Sequence, residues 1–271
     1  MTADAPTPAA YVAANRDAWD QSAPLHRAGA RWRELAEGFA TPGYSCLDAT
    51  LTGLLGELGV TGKAVVQLGC NNARELLSVK TLGAGRCVGV DQSAAFLAQG
   101  RELAALAGQP VELVERDVYA IPREFDGGFD LVLVTIGVLG WMPDVRGFFA
   151  VAARLLAPGG ALLVYEQHPI ANAFEPTAAN PFEPQYSYFA TEPFAESHAV
   201  VYDGEPAGPV ATHYWFAHTL ADTLTAALDA GLRIETFREY PHNISSVEFD
   251  VYESRPGVAL PQSYALVARK A

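Results

Sequence analysis

The chain has 271 residues, long for one plain domain and short for two, so one domain carrying an elaboration is expected. Half of the residues are hydrophobic and 18% are charged, the balance of a globular chain able to bury a core. With 31 acidic side chains against 18 basic ones the net charge is −13, which repels a phosphate backbone and excludes nucleic acid as the main partner.

The N-terminal MTADAPTPAA has neither a basic start nor an apolar run and reads as a frayed tail. Nowhere does the chain approach about 18 consecutive apolar residues, so no membrane span is expected and a cytoplasmic location is. Two helical stretches follow, YVAANRDAWDQSAPLHR and GARWRELAEGF, which the pattern predicts to be broken around Pro24 and to form a mobile flap. Ser45 and Asp48 together read as a capping box. From Ser45 onward Leu47, Leu51, Leu54, Leu55 and Leu58 share one helical face.

From Lys63 short apolar runs alternate with helical stretches. The runs are AVVQLG (64–69), RCVGVD (86–91), VELVERD (111–117), FDLVLVTIG (129–137) and GALLVYEQHP (160–169), rich in Val and Leu as strands buried on both faces are. Ser93 and Asp144 stand as N-caps of two of the intervening helices. Repeated strand–helix–strand units imply right-handed crossovers and an α/β, doubly wound, mostly parallel sheet of seven strands.

After Pro169 the alternation stops for about forty residues. Prolines break any long helix there, and aromatics such as Phe174, Tyr186 and Phe194 argue against a disordered linker. The segment 170–212 is read as a cap insertion, with a hairpin of AVVYDG against PVATHYWF. That hairpin also offers an edge through which a second copy could pair as a homodimer. Thr219 with Asp222 then opens a helix ended by Gly231, and LRIETFREY and SYALVARK supply the last two strands. The domain reading is thus a tail and flap over 1–44 and a sheet domain over 45–271.

Ligands of such sheets bind beyond the carboxyl ends of the strands. Gly69 ends the first strand and begins a tight turn, and Asp91 ends the second strand 22 residues later, where a carboxylate can accept both hydroxyls of a ribose. Gln92 follows it. Asp117 and Val118 offer an acid for an exocyclic amine and an apolar neighbour for a purine, and Thr135 and Ile136 end the fourth strand. Asn71 and Ala73 occupy the places where a dinucleotide site needs its later glycines. The pocket suits an adenosine without phosphates.

Here the chain resembles the class I, seven-stranded, Rossmann-like S-adenosylmethionine-dependent methyltransferases over roughly 45–271. Gly69 matches the family's first motif, Asp91 its ribose-binding acid and Asp117 its adenine-contacting acid. GVLGWMPDVRGFFAVAARLLAPGGALLVYEQHP resembles the fourth-to-fifth-strand stretch of the small-molecule branch. Gln67 stands where that family carries an acid, and Asn71 and Ala73 replace its later glycines. The resemblance implies S-adenosylmethionine as cofactor, with Gln67 at its methionine ammonium and Cys70 and Asn71 among its binding residues, the alternative for Cys70 being a small filler in the turn. Tyr11 and Trp141 are candidates to hold the sulfonium by cation–π attraction.

No C-x-x-C, H-x-x-H or H-E-x-x-H spacing occurs, so no metal site is expected. His168, at the end of the fifth strand, is placed for a general base, the alternative being a histidine that satisfies backbone groups beneath the cap. The resemblance implies methyl transfer to a small molecule. Some of that family instead cyclise the cofactor to azetidine-2-carboxylate and methylthioadenosine, and the neutral Gln67 is compatible with that, since a carboxylate there would favour the charged ammonium. A non-catalytic adenosine sensor is the third reading.

Overall fold

The computed structural model of the chain describes residues 6–201, 208–245, 247–253 and 259–271. Its helices in chain order are α1 (Pro8–Ala28), α2 (Ala30–Phe39), α3 (Ala49–Leu58), α4 (Arg74–Thr81), α5 (Ala94–Ala107), α6 (Val145–Leu155) and α7 (Leu220–Asp229). The strands are β1 (Val65–Leu68), β2 (Cys87–Asp91), β3 (Glu112–Glu115), β4 (Phe129–Thr135), β5 (Leu156–Gln167), β6 (Phe194–His198), β7 (Pro209–Trp215), β8 (Leu232–Tyr240) and β9 (Ser263–Lys270). All but β6 and β7 form one seven-stranded sheet of order β3-β2-β1-β4-β5-β9-β8. Only β9 runs against its neighbours. The order reverses between β1 and β4, which opens a crevice beyond their carboxyl ends.

The continuous apolar runs are explained by a sheet covered on both faces. Successive side chains of a strand point to opposite sides. Val66, Leu68, Val132 and Val134 therefore pack with Phe148, Phe149, Ala226 and Ala227 of α6 and α7. Val65, Leu131, Leu133 and Leu163 pack with α3 and α4 through Leu51, Leu55 and Leu76. β3 and β8, at the two sheet edges, are the half-exposed exceptions.

Three local expectations are corrected. α1 runs through Pro24 and ends at Gly29, because tertiary bonds hold it in place of the local hydrogen bond that proline removes. The two N-terminal helices are also packed rather than loose: Trp32, Leu35 and Phe39 are buried against Leu77 and Leu103. At α3 no capping box involving Ser45 forms. Asp48 is itself the N-cap, its carboxylate accepting from Leu51 N at 2.7 Å, while Ser45 Oγ accepts from Leu47 N. Aspartate caps as well as serine does, so the helix starts one turn later and Leu47 stays outside it. The box at Thr219 and Asp222 forms as expected.

The insertion contains the expected hairpin in a different register. β7 is as read, but its partner β6 is Phe194–His198, earlier than the AVVYDG run, of which 202–204 lie outside the described residues. The hairpin lies on α1, whose side chains bond its backbone. Asn15 pairs with both the N–H and the carbonyl of Tyr214, at 2.7 and 3.0 Å. Ser22 Oγ accepts from Val200 N, and His26 Nε2 donates to Val200 O. Among the described residues no helix is long and apolar enough to cross a membrane.

Candidate active site

At the end of β1 the chain turns through Gly69, with φ +65°, and a Cβ there would come within 2.8 Å of Val138 Cγ2. Asn71 and Ala73 are left-handed as well, at φ 49° and 58°. Asparagine tolerates that conformation, and the turn thereby keeps the path that glycines would otherwise provide. Cys70 N donates to Val90 O, and its buried thiol is pushed well above the usual range by desolvation. It is a filler in the turn.

Because β1 and β2 are adjacent and parallel, the turn and Asp91 meet. Asp91 Oδ2 accepts from Asn71 N at 2.7 Å and Oδ1 from Ser93 N at 2.9 Å. Gln92 N also bonds the carboxylate, which keeps an acceptor position for a further donor. Burial raises this carboxyl above its ordinary value, against the pull of its backbone donors. Asp117 Oδ1 accepts from Tyr119 N, turning the end of β3 so that Val118 is buried beside it.

Gly69, Cys70, Asn71, Asp91 and Gln92 line one narrow cavity, together with Asp117, Val118, Thr135, Ile136 and Trp141. The cavity thus unites the ends of four strands. Gln67 lies beneath it, its Nε2 donating to Thr135 Oγ1 at 2.8 Å. Gln67 Oε1 is buried with no partner among the described residues. An orphaned acceptor costs about 1–3 kcal/mol and suits a site that receives a donor.

Tyr11 does not line this cavity. It packs edge-on against Tyr214 and Phe216, with centroids 4.7 and 5.2 Å apart. Val12 and Trp19 of the same helix line it instead, and Trp19 lies 5.1 Å from Trp141. His168 is likewise outside both cavities. Its Nδ1 accepts from Ile170 N and its Nε2 donates to Glu239 Oε1 at 3.0 Å, and burial lowers its pKa. Both ring nitrogens are occupied, so the backbone-satisfying alternative holds and the base assignment falls.

A second cavity, of about 610 Å³, adjoins the first. Trp19, Arg74, Glu75, Ile136, Gly137 and Trp141 line both. Its far walls come from α2 and from Trp215 and Phe216 of the insertion. Two polar groups stand out there: Tyr165, to which the sequence did not point, and Glu166, to which it pointed only as part of the strand end 166–168. Glu166 ends β5 at 4% exposure, its carboxylate held by the backbone N–H groups of Gly137, Leu139 and Gln167. Burial pushes it up to about 7. Tyr165 bonds Asp48 Oδ2 and His242 Nε2, both at 2.8 Å. No cluster of three metal-binding side chains exists among the described residues.

Residues 65–160, from β1 to the start of the apolar part of β5, match the family model described as a methyltransferase domain. Over that stretch the chain is similar to a methyltransferase domain. Its fold is that of class I methyltransferases. Solved methyltransferases share the fold at low identity. An S-adenosylmethionine dependent methyltransferase from Listeria monocytogenes is 18% identical with a TM-score of 0.59, over 82% of this chain and 99% of its own. One from Clostridium acetobutylicum is 13% identical with a TM-score of 0.58, over 93% of this chain and 99% of its own. A geranyl diphosphate C-methyltransferase from Streptomyces coelicolor, solved with Mg2+, geranyl diphosphate and S-adenosyl-L-homocysteine, is 15% identical with a TM-score of 0.55, over 82% and 79% of the two chains. No curated protein matches the chain in sequence.

Proposed function

We propose that the chain is an S-adenosylmethionine-dependent methyltransferase that acts on a small molecule held in the larger cavity. The observation that carries the reading is the shared wall: the loop after β4, Trp19 and the start of α4 border both cavities, so two ligands can meet there. A Streptomyces neighbour with a small-molecule substrate supports the same class of acceptor. On this reading Asp91 holds the ribose, and Asp117 with Val118 holds the adenine. Gln67 Oε1 and the turn at Gly69 serve the methionine end.

Bound S-adenosylmethionine supplies an electrophilic methyl group on a sulfonium. The protein's part is alignment and exclusion of water. Trp19 and Trp141 offer aromatic faces and edges beside the shared wall, where cation–π attraction is worth about 0.5–2 kcal/mol. α1 and the hairpin, bonded to each other, form the cover. Small molecules, with no nucleic acid and a cytoplasmic setting, remain part of the proposal on grounds of charge and composition.

Cyclisation of the cofactor needs no second cavity, and a cavity of 610 Å³ favours an external acceptor. Product analysis separates the two. S-adenosylhomocysteine accumulating only on addition of acceptor supports transfer, and methylthioadenosine as the main product without any acceptor would overturn it.

A further inference from the structure

The larger cavity carries charge and rings in an arrangement that selects among acceptors. Its basic side chains among the described residues are Arg31 and Arg74, and Arg74 is paired with Glu75 at 2.6 Å. Its acids also include Glu34, Asp48, Asp250 and Glu166. Asp48 is spent on Leu51 N and Tyr165, and Asp250 accepts from Asn243 Nδ2. The wall therefore remains acidic, which disfavours a phosphate or carboxylate ligand. Trp141, Trp215 and Phe216 supply aromatic surface. Acidic and aromatic groups around one cavity are the chemistry of cation recognition.

Within that cavity Glu166 has the decisive place. Its oxygens are bonded to the N–H groups of Gly137 and Leu139, so the carboxylate sits against the loop that borders both cavities. Gly137 is on the shared wall. Gln167 N is a third donor and fills Oε1, so Oε2, which accepts from Leu139 N, is the oxygen that can take a ligand donor.

We propose that the acceptor is a small aromatic or aliphatic amine whose nitrogen is received by Glu166 at the junction of the two cavities. The inference rests on the methyl-transfer reading. The ammonium gives one proton to the Glu166 carboxylate. The freed nitrogen lone pair then forms the N–C bond as the carbon–sulfur bond breaks, its electrons staying on sulfur, and the product leaves as the methylated ammonium. Burial, which raises Glu166 to about 7, sets it to exchange a proton near neutrality. Tyr264 on β9 is the titratable neighbour across the sheet, and Glu166 helps keep it neutral. Tyr165, His218, Tyr44 and Cys46 border the same cavity, and burial keeps Tyr165, Tyr44 and Cys46 protonated. Burial also lowers His218, which accordingly stays neutral.

The test uses the full chain saturated with S-adenosylhomocysteine, titrated with phenethylamine and with its isosteric acid 3-phenylpropionate, followed by calorimetry. The amine is expected to bind at least about tenfold tighter than the acid, and about tenfold tighter at pH 8 than at pH 6 as Glu166 ionises through 7. Glu166→Gln is expected to lose the preference and the pH dependence while binding S-adenosylhomocysteine within about threefold of the parent. Equal or tighter binding of the acid, binding of neither, or a pH-independent amine affinity would overturn the inference. Should Glu166→Gln fail to fold, the comparison of the two probes on the parent protein decides. Failure of S-adenosylhomocysteine to bind at all would instead remove the methyl-transfer reading beneath it.

Discussion

Asp91 is fixed beside the narrow cavity by backbone donors from Asn71, Ser93 and Gln92, and keeps an acceptor position for a ligand. That placement was legible in sequence, since the spacing from Gly69 depends only on two adjacent parallel strands and the helix between them. Glu166 was legible only in part, because the strand-end rule points to the whole of 166–168. Its chemistry comes from burial beneath the loop after β4, and nothing in the run LLVYEQHP separates it from His168 two residues on. His168 in turn was misread because its partner, Glu239, lies on β8, 71 residues away.

The Glu166 carboxyl makes a prediction with a definite sign. Raised by burial from 4.5 to about 7, it is protonated in both folded and unfolded chains below 4.5, where its contribution to stability is complete, and that contribution is lost as pH rises through 7. Denaturant titrations should show Glu166→Gln flattening the loss between these limits by about 3 kcal/mol relative to the parent. Gly69→Ala should cost about 1–3 kcal/mol in the same measurement, since a Cβ would meet Val138 and the left-handed backbone would be strained.

At the scale of elements, the N-terminal helices were recognised but their attachment was not. Helical patterning reports which residues share a face, and says little about the polar side chains that reach another element's backbone. Asn15 is buried and mimics a neighbouring strand to Tyr214, which keeps α1 and the hairpin together despite Pro24. Asn15→Ala should therefore lower stability by about 1–3 kcal/mol, leaving two backbone groups unpaired, and should speed amide exchange at Tyr214. Asn15→Asp, which keeps only the acceptor, should fall between the two. The hairpin register escaped sequence reading for a related reason. Short strands resting on a helix have weak alternation, as the mostly exposed β6 shows.

For the whole molecule, the switch in strand order between β1 and β4 decides where chemistry can occur, and the sequence pattern from Lys63 onward was sufficient to find it. Sheet strands buried on both faces leave long apolar runs, a strong signal. The second cavity left none, because its walls are gathered from α2, the insertion and the segment before β9, regions with no common pattern. The acidic charge gains a local meaning there, in a wall that favours a cation.

The central claim is that the strand ends around Asp91 bind the adenosine of S-adenosylmethionine. Calorimetric titration of S-adenosylhomocysteine into the parent protein and into Asp91→Ala tests it most directly. One saturable site in the parent, weakened at least about 100-fold in the variant by the loss of two charge-assisted hydrogen bonds, is the predicted result. Equal affinity in both proteins, or no binding to the parent, would contradict it.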